Sequence, residues 1–314
     1  MKMIFFGNTK YSRIVEESLY KNFGLSLVVT LPDRIMGRKK ILTPNPVKQF
    51  ALENSVPIIT AEKLDEKVID QIQHLTNERL ASSKLASSLE GKKLNARRYT
   101  LDANGIDFLV VADYGLLLPK KLLDLPKYAP LNVHPSLLPK YRGPTPGQSA
   151  ILNGDKETGV TIIKLDEQID HGPILAQEVE SILKSDTADV LYERLFKKGS
   201  GLITSIIRII RVNKRMEEKP QDEEKATFTK KLSKQDGFID LENLLPAGGK
   251  IDRMIRAYYP WPNAWTQLRI KNKELRIKFL PGKKVQVEGK NPMDYKDFIN
   301  GYPDAKEIID KIFN

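Results

Sequence analysis

The chain has no cysteine, and its 314 residues include only three histidines and two tryptophans. Without thiols it can form no disulfide, build no thiolate metal centre and use no cysteine nucleophile. That composition suits a reducing compartment. Three histidines leave little material for an imidazole metal site, so no metal is expected. No apolar run reaches the ~20 residues that a membrane-spanning helix needs. The opening MKMIFFGN reads as a strand and not as a signal peptide, which would carry an apolar core and a cleavage site. A cytoplasmic protein with no membrane attachment is expected. The first strand-like run, Met3 to Gly7, is not followed by G-x-G-x-x-G, which argues against a dinucleotide site.

Charge of one sign is in excess. Fifty-one Lys and Arg against 40 Asp and Glu give a formal net charge of +11. This favours a polyanionic partner, and nucleic acid over a membrane surface because no basic amphipathic anchor stands out. The length allows two domains, each with its own core.

The first two thirds of the chain alternate strand and helix patterns. Strands are expected at Met3–Gly7, Leu25–Thr30, Pro57–Ile59 and Ile106–Ala112, with helices at Tyr11–Tyr20, Val47–Glu53 and Asp65–Leu75. Further helices are expected after Asp186, read as an N-cap, and at Gly201–Val212. Such alternation predicts a doubly wound, mostly parallel α/β sheet over residues 1–212. Residues 213–226, beginning NKRMEEKPQDEE, read as a polar linker. From 227 to 314 short strands predominate, including Ala264–Ile270, Leu275–Phe279 and Lys284–Val287, with a helix near Ile251–Arg256. This pattern predicts a small β-barrel domain of the OB sort. Alternation over Leu275–Phe279 sets Arg276 and Lys278 on one outward face.

The chemistry concentrates between Leu131 and Leu175. A short strand ends in Asn132-Val133-His134-Pro135, so Asn132 and His134 share one face at its C-terminal end. A second strand, Val160–Leu165, leads into a turn that can deliver Asp170 to the same end of the sheet. An amide NH2 and a protonated imidazole can donate to an oxyanion, while a carboxylate orients the imidazole and relays a proton. No Ser in this stretch sits in a nucleophile elbow, so direct attack by an amine on a carbonyl is expected, without an acyl-enzyme.

NVHPSLLPKYRG followed by GDKETGVTIIKLDEQIDHGPIL closely resembles the folate-dependent formyltransferases, which move a formyl group from 10-formyltetrahydrofolate to an amine. The resemblance puts the family's catalytic residues on Asn132, His134 and Asp170. It sets Ser136, Leu137, Leu138 and Pro139 against the folate, and the turn at Tyr114 and Gly115 in the pterin pocket. The loop PDRIMGRKKILTPNPVK, with Arg34, Arg38, Lys39 and Lys40, resembles one found in the branch of that family that acts on initiator methionyl-tRNA, where it meets the acceptor arm. The phrase RAYYPWPNAWT and the segment TFTKKL resemble the tRNA-binding C-terminal domain of the same branch. These likenesses imply initiator methionyl-tRNA as acceptor and a tetrahydrofolate derivative as donor, and a monomer is expected. The chain departs from the family between about His74 and Thr100, read as a surface insertion, and at Leu241, where Trp is common. Two other readings stay open. One is a formyltransferase for a nucleotide amino sugar or a glycinamide nucleotide. The other is a non-catalytic RNA-binding relative.

Overall fold

The computed structural model describes residues 1–36, 40–78, 105–241, 249–270 and 273–313. Most of the insertion read from the sequence, from residue 79 onward, lies outside them. In chain order the elements begin with β1 (Met3–Gly7), α1 (Lys10–Phe23), β2 (Leu27–Thr30), β3 (Arg34–Met36), β4 (Ile41–Thr43), α2 (Pro46–Glu53), β5 (Ile58–Thr60) and α3 (Glu66–Glu78). They continue with β6 (Ile106–Ala112), α4 (Lys120–Leu123), β7 (Pro126–His134), α5 (Pro146–Asn153), β8 (Glu157–Lys164), β9 (Ile174–Ser181) and α6 (Ala188–Asn213). The last are α7 (Lys250–Ala257), β10 (Ala264–Ile270), β11 (Lys273–Leu280), β12 (Lys284–Val287), β13 (Met293–Asp294), α8 (Tyr295–Gly301) and α9 (Lys306–Phe313). Among the described residues no helix is long and apolar enough to cross a membrane.

Contacts group the chain into two compact units. One comprises residues 1–142, 160–178 and 195–226, and the other residues 143–159, 179–194 and 227–314. The principal sheet runs β5-β2-β1-β6-β7-β8-β9. Strands β5, β2, β1, β6 and β7 pair in parallel, and β8 pairs antiparallel with β7. The chain winds outward from β1 to β5, then returns to β6 on the other side of β1. The C-terminal ends of β1 and β6 therefore flank a topological switch point, where open α/β sheets offer a crevice. Every residue of β1 is buried, because both faces of a parallel sheet must be covered. Ile4, Phe6, Leu27, Val29, Leu109 and Ile72 share one cluster on one side. Burying each such side chain contributes about 1.5–3 kcal/mol.

Local signals account for many boundaries. Thr9 and Ser12 form a capping box at the start of α1, and Asn45 caps α2 with Pro46 at its first position. Two expectations need correction. The helix after Asp186 does not stop before Gly201 but continues as α6 to Asn213. Gly199 is tolerated inside it because a Cβ there would stand 2.6 Å from Val133 Cγ1, so the helix backbone lies close against β7. Nor is Asp186 the N-cap. Its carboxylate is engaged by the guanidinium of Arg194 at 2.6 and 2.7 Å, and Thr187 Oγ1 instead accepts from Val190 N–H.

The second unit contains the antiparallel sheet β10-β11-β12-β13. Ala264, Thr266, Leu268 and Ile270 face inward, packing with Ile277, Phe279, Val285, Val287, Phe298 and Ile309. The alternate residues, beginning with Trp265, form the outer face. Helices α8 and α9, which the strand pattern of this region had not suggested, supply Phe298 and Ile309 to that core.

Candidate active site

The end of β7 carries Asn132 and His134, and β8 lies beside it with Asn132 opposite Ile163 and His134 opposite Thr161. The chain leaves β8 through Asp166–Gly172, and this turn brings Asp170 back to the end of β7. Asn132 Nδ2 donates to Asp170 Oδ1 at 3.2 Å, and His134 Nδ1 lies 3.5 Å from Asp170 Oδ2. His134 Nε2 is 3.0 Å from the carbonyl oxygen of Tyr141, which can only accept, so Nε2 carries a hydrogen. The tautomer with Nδ1 bare would aim a lone pair at a carboxylate. A proton on both nitrogens satisfies both neighbours. Asn132 and His134 are 8% and 4% exposed, and the Asp170 side chain 14%, so the three polar groups meet at low water content.

Two residues that hold this arrangement have left-handed backbone. Tyr141 has φ +63° and Asp170 φ +48°. Such conformations cost a non-glycine residue on the order of 1 kcal/mol or more, and structures tolerate them where the surroundings over-determine them. Here the surroundings are specific. Gln221 Nε2 donates to the carbonyl oxygens of Asp170 and Gly172, both at 2.8 Å. Arg142, 2% exposed, donates in turn to Gln221 Oε1 from Nε and Nη2 and to both oxygens of Glu223. The guanidinium holds the Glu223 carboxyl below its ordinary range. His171 is turned away, its Nδ1 2.6 Å from Asp166 Oδ2, and serves the turn itself.

Neither Gln221 nor Arg142 was assigned a role by spacing or motif. Gln221 lies in the stretch that reads as a polar linker, 51 residues from the carbonyl of Asp170 that it holds. No local signal marks it. Gly172 is constrained more tightly, because a Cβ there would run into the carbonyl oxygen of Lys164. Gly172→Ala is therefore expected to displace Asp170 and lower turnover at this site by at least about tenfold while leaving a folded protein. Activity assays beside circular dichroism would check this, and an unimpaired variant would show that the turn adapts.

The Ser136–Pro139 segment follows β7. Ser136 is fully buried and its hydroxyl donates to the carbonyl of Lys140 at 2.6 Å. Its side chain is spent on the loop, so it has no face to offer a ligand. Leu138 is also buried, its N–H donating to Thr161 Oγ1 and its carbonyl accepting from Gln177. Leu137 and Pro139 are half-buried. The fold thus separates the four residues, leaving Leu137 and Pro139 as the accessible pair.

The turn after β6 stands next to this site, because Val111 of β6 is paired with Asn132 of β7. Tyr114 is buried, and burial pushes its hydroxyl up to about 12, so it stays protonated at any physiological pH. Its oxygen has no hydrogen-bond partner among the described residues. Gly115, at φ +87°, has open space where a Cβ would lie, and Leu117 is exposed. An accessible backbone beside apolar Leu116, Leu117 and Leu118 fits a flat heterocycle.

The basic loop is a hairpin. Strands β3 and β4 pair antiparallel, with Arg34 opposite Thr43. Its root is tied down by Asp33, which accepts from Lys48 at 2.8 and 2.9 Å, and by Asn45, which donates to the carbonyl of Leu31. Arg34 and Lys40 are exposed, as are Ile35, Ile41 and Leu42. Arg38 and Lys39 lie outside the described residues.

The formyl transferase family model matches residues 1–207, and the model of the formyl transferase C-terminal domain matches residues 231–283. The chain belongs to the formyl transferase family. A methionyl-tRNA formyltransferase of Chloroflexus aggregans is 39% identical over 269 residues, covering 85% of this chain and 76% of that one. One from Dictyoglomus thermophilum is 31% identical over 334 residues, covering 96% and 97%. A sugar N-formyltransferase from Shewanella sp. superposes with a TM-score of 0.59 at 19% identity, over 90% of this chain and 98% of that one. A likeness at that identity bears on the fold alone. The formyl transferase fold is thus a Rossmann-like α/β sheet with an antiparallel strand domain.

Proposed function

We propose that the protein transfers a formyl group from 10-formyltetrahydrofolate to the amino group of methionyl initiator tRNA, in support of translation initiation. The observation that carries the chemistry is the convergence of Asn132, His134 and Asp170 at the end of β7. The acceptor rests on the two methionyl-tRNA formyltransferases that match most of the chain.

In this reading the methionyl amine attacks the formyl carbon, and the carbonyl electrons move onto oxygen. Asn132 Nδ2 has two hydrogens. One is given to Asp170, and the other is available to the developing oxyanion. The Tyr141 carbonyl fixes His134 Nε2–H, and Nδ1–H, 3.5 Å from Asp170 Oδ2, would be shared between that carboxylate and the oxyanion. Asp170 accepts the proton that the amine loses. Collapse of the tetrahedral species breaks the bond from carbon to N10 of the folate, and N10 takes a proton, releasing tetrahydrofolate. The turn at Tyr114 and Gly115, with Leu137 and Pro139, would hold the folate.

The hairpin β3–β4, with Arg34, Arg38, Lys39 and Lys40, would meet the acceptor arm. Its cations supply phosphate contacts, and exposed Ile35, Ile41 and Leu42 suit contact with a nucleotide at the arm's end. Replacing Arg38, Lys39 and Lys40 by Ala is expected to raise KM for tRNA. The salt dependence should flatten by roughly 0.7–0.9 log units per lost phosphate contact. An unchanged slope would make the hairpin a bystander. Residues 1–212 would form the catalytic part and residues 227–314 the tRNA-binding part, joined through 213–226.

The deciding assay offers 10-formyltetrahydrofolate with methionyl initiator tRNA, methionyl elongator tRNA or a nucleotide-linked amino sugar. Formylation of the initiator alone supports the reading. Transfer to the sugar alone would keep the chemistry and discard the RNA. Binding of tRNA with no transfer to any acceptor would leave a non-catalytic RNA-binding protein.

A further inference from the structure

We infer that the outer face of the β10–β12 sheet carries a pocket for an unpaired nucleobase of the RNA acceptor, with Trp261 as its stacking platform. The inference rests on the RNA reading above and names a second site within it.

A pocket of about 380 Å³ is lined by Trp261, Trp265, Asn263, Arg276, Lys278 and Lys234, among others. Strand register explains why these residues meet. Trp265 of β10 is opposite Lys278 of β11, which is opposite Gln286 of β12, so all three point outward from the sheet whose other face is the core. Arg276, two residues before Lys278, shares that face and lays its guanidinium over the Trp265 ring, 4.6 Å from its centroid. Trp265 is committed to the wall. Its Nε1 donates to the carbonyl of Lys234 at 2.9 Å, and its ring packs on Phe238. Trp261 is different, being 51% exposed although it is among the largest apolar side chains of the protein.

A half-exposed indole beside a pocket rimmed by cations is a poor arrangement for a protein surface and a good one for a base and its phosphate. Stacking needs only a π-face, and the cations supply the charge. The acid on the rim, Glu288, lies 3.8 Å from Arg276 and does not cancel Lys234 and Lys278. Arg276 Nε and Asn263 Oδ1 are buried without a hydrogen-bond partner among the described residues, so the wall itself is not fully satisfied by protein.

The test uses a property of the composition. Trp261 and Trp265 are the only tryptophans in the chain, so the tryptophan emission of the full-length protein reports on this pocket and nothing else. Initiator tRNA and a single-stranded oligoadenylate of about ten nucleotides should quench that emission saturably. AMP should act only at much higher concentration. Trp261→Ala should weaken oligoadenylate binding about tenfold and raise KM for methionyl-tRNA more than it lowers kcat, whereas Trp261→Phe should keep most of the affinity. Lys278→Ala provides a second variant, expected to reduce the salt slope of binding.

The pocket assignment is overturned if neither RNA changes the emission, or if Trp261→Ala binds RNA as tightly as the unaltered protein. AMP acting as strongly as the oligonucleotide would also overturn it, because the pocket would then be a small-nucleotide site. Failure to formylate methionyl-tRNA is a separate result. It would remove the acceptor reading, and the fluorescence titration would still decide the pocket.

Discussion

His134→Ala is expected to lower kcat for formyl transfer by about 100- to 10,000-fold, the range lost with a positioned acid–base group or an oxyanion donor. The size follows from the isolation of the site. His134 is 4% exposed, so water cannot readily replace the lost N–H. Its removal also takes one donor from the Tyr141 carbonyl and leaves Asp170 with one partner fewer from the end of β7. Asn132→Ala removes a donor and a support of Asp170 together, so its effect should be of similar order. The two losses should not add when both residues are replaced, because both act through one oxyanion and one carboxylate. Folate affinity, measured by equilibrium titration, should change little. A His134→Ala enzyme with kcat within a few-fold of normal would sink the assignment.

Glu16→Gln is expected to stabilise the protein at alkaline pH, which is unusual for an acid replaced on a helix. Glu16 sits on α1 with no exposed surface, and neither carboxylate oxygen has a hydrogen-bond partner among the described residues. Burial pushes its carboxyl up to about 9, with the neighbouring Arg13 only partly offsetting the cost of the charge. In the unfolded chain the same group ionises near 4.5. Between these values the folded state holds a proton that the unfolded state releases, so stability is greatest below about 4.5 and declines as pH rises towards about 9. The slope is at most ~1.4 kcal/mol per pH unit. The amide of Gln keeps the shape and cannot ionise. Its advantage should be small at pH 5 and on the order of 3 kcal/mol at pH 8, less than the ideal limit because a buried site relaxes around a charge. Urea unfolding of both proteins at the two pH values would measure it. Parallel pH profiles would mean that the carboxylate finds a partner or water when charged.

Strand periodicity and residue chemistry are local, and they were legible from the sequence alone. The alternation that set Asn132 and His134 on one face needs only the two-residue repeat of a strand. The residues from Met3 to Gly7 and from Phe108 to Ala112 read as buried strands because they are uninterrupted by a polar side chain. Glycine and cap signals were less decisive. A second helix reads as starting at Gly201 until α6 is seen to run through it, packed on Val133 at Gly199, and Asp186 reads as a cap until Arg194 claims its carboxylate. In both cases a tertiary neighbour outweighed a propensity worth about 1 kcal/mol.

Only the tertiary structure decided what holds the candidate site in place. Arg142, Gln221 and the Asp170 turn form one chain of hydrogen bonds although Arg142 and Gln221 are 79 residues apart in sequence. A glutamine in a polar stretch has the same composition whether it faces water or clamps two carbonyls. The same holds for Ser136, polar in the sequence and consumed inside its own loop, and for Trp261, an apolar side chain that the fold leaves half-exposed. The sequence by itself determined most strands of the principal sheet and the reactive groups, because those depend on neighbours within a few residues. Which polar atoms are already paired, and which remain for a substrate, depends on partners that only folding brings together.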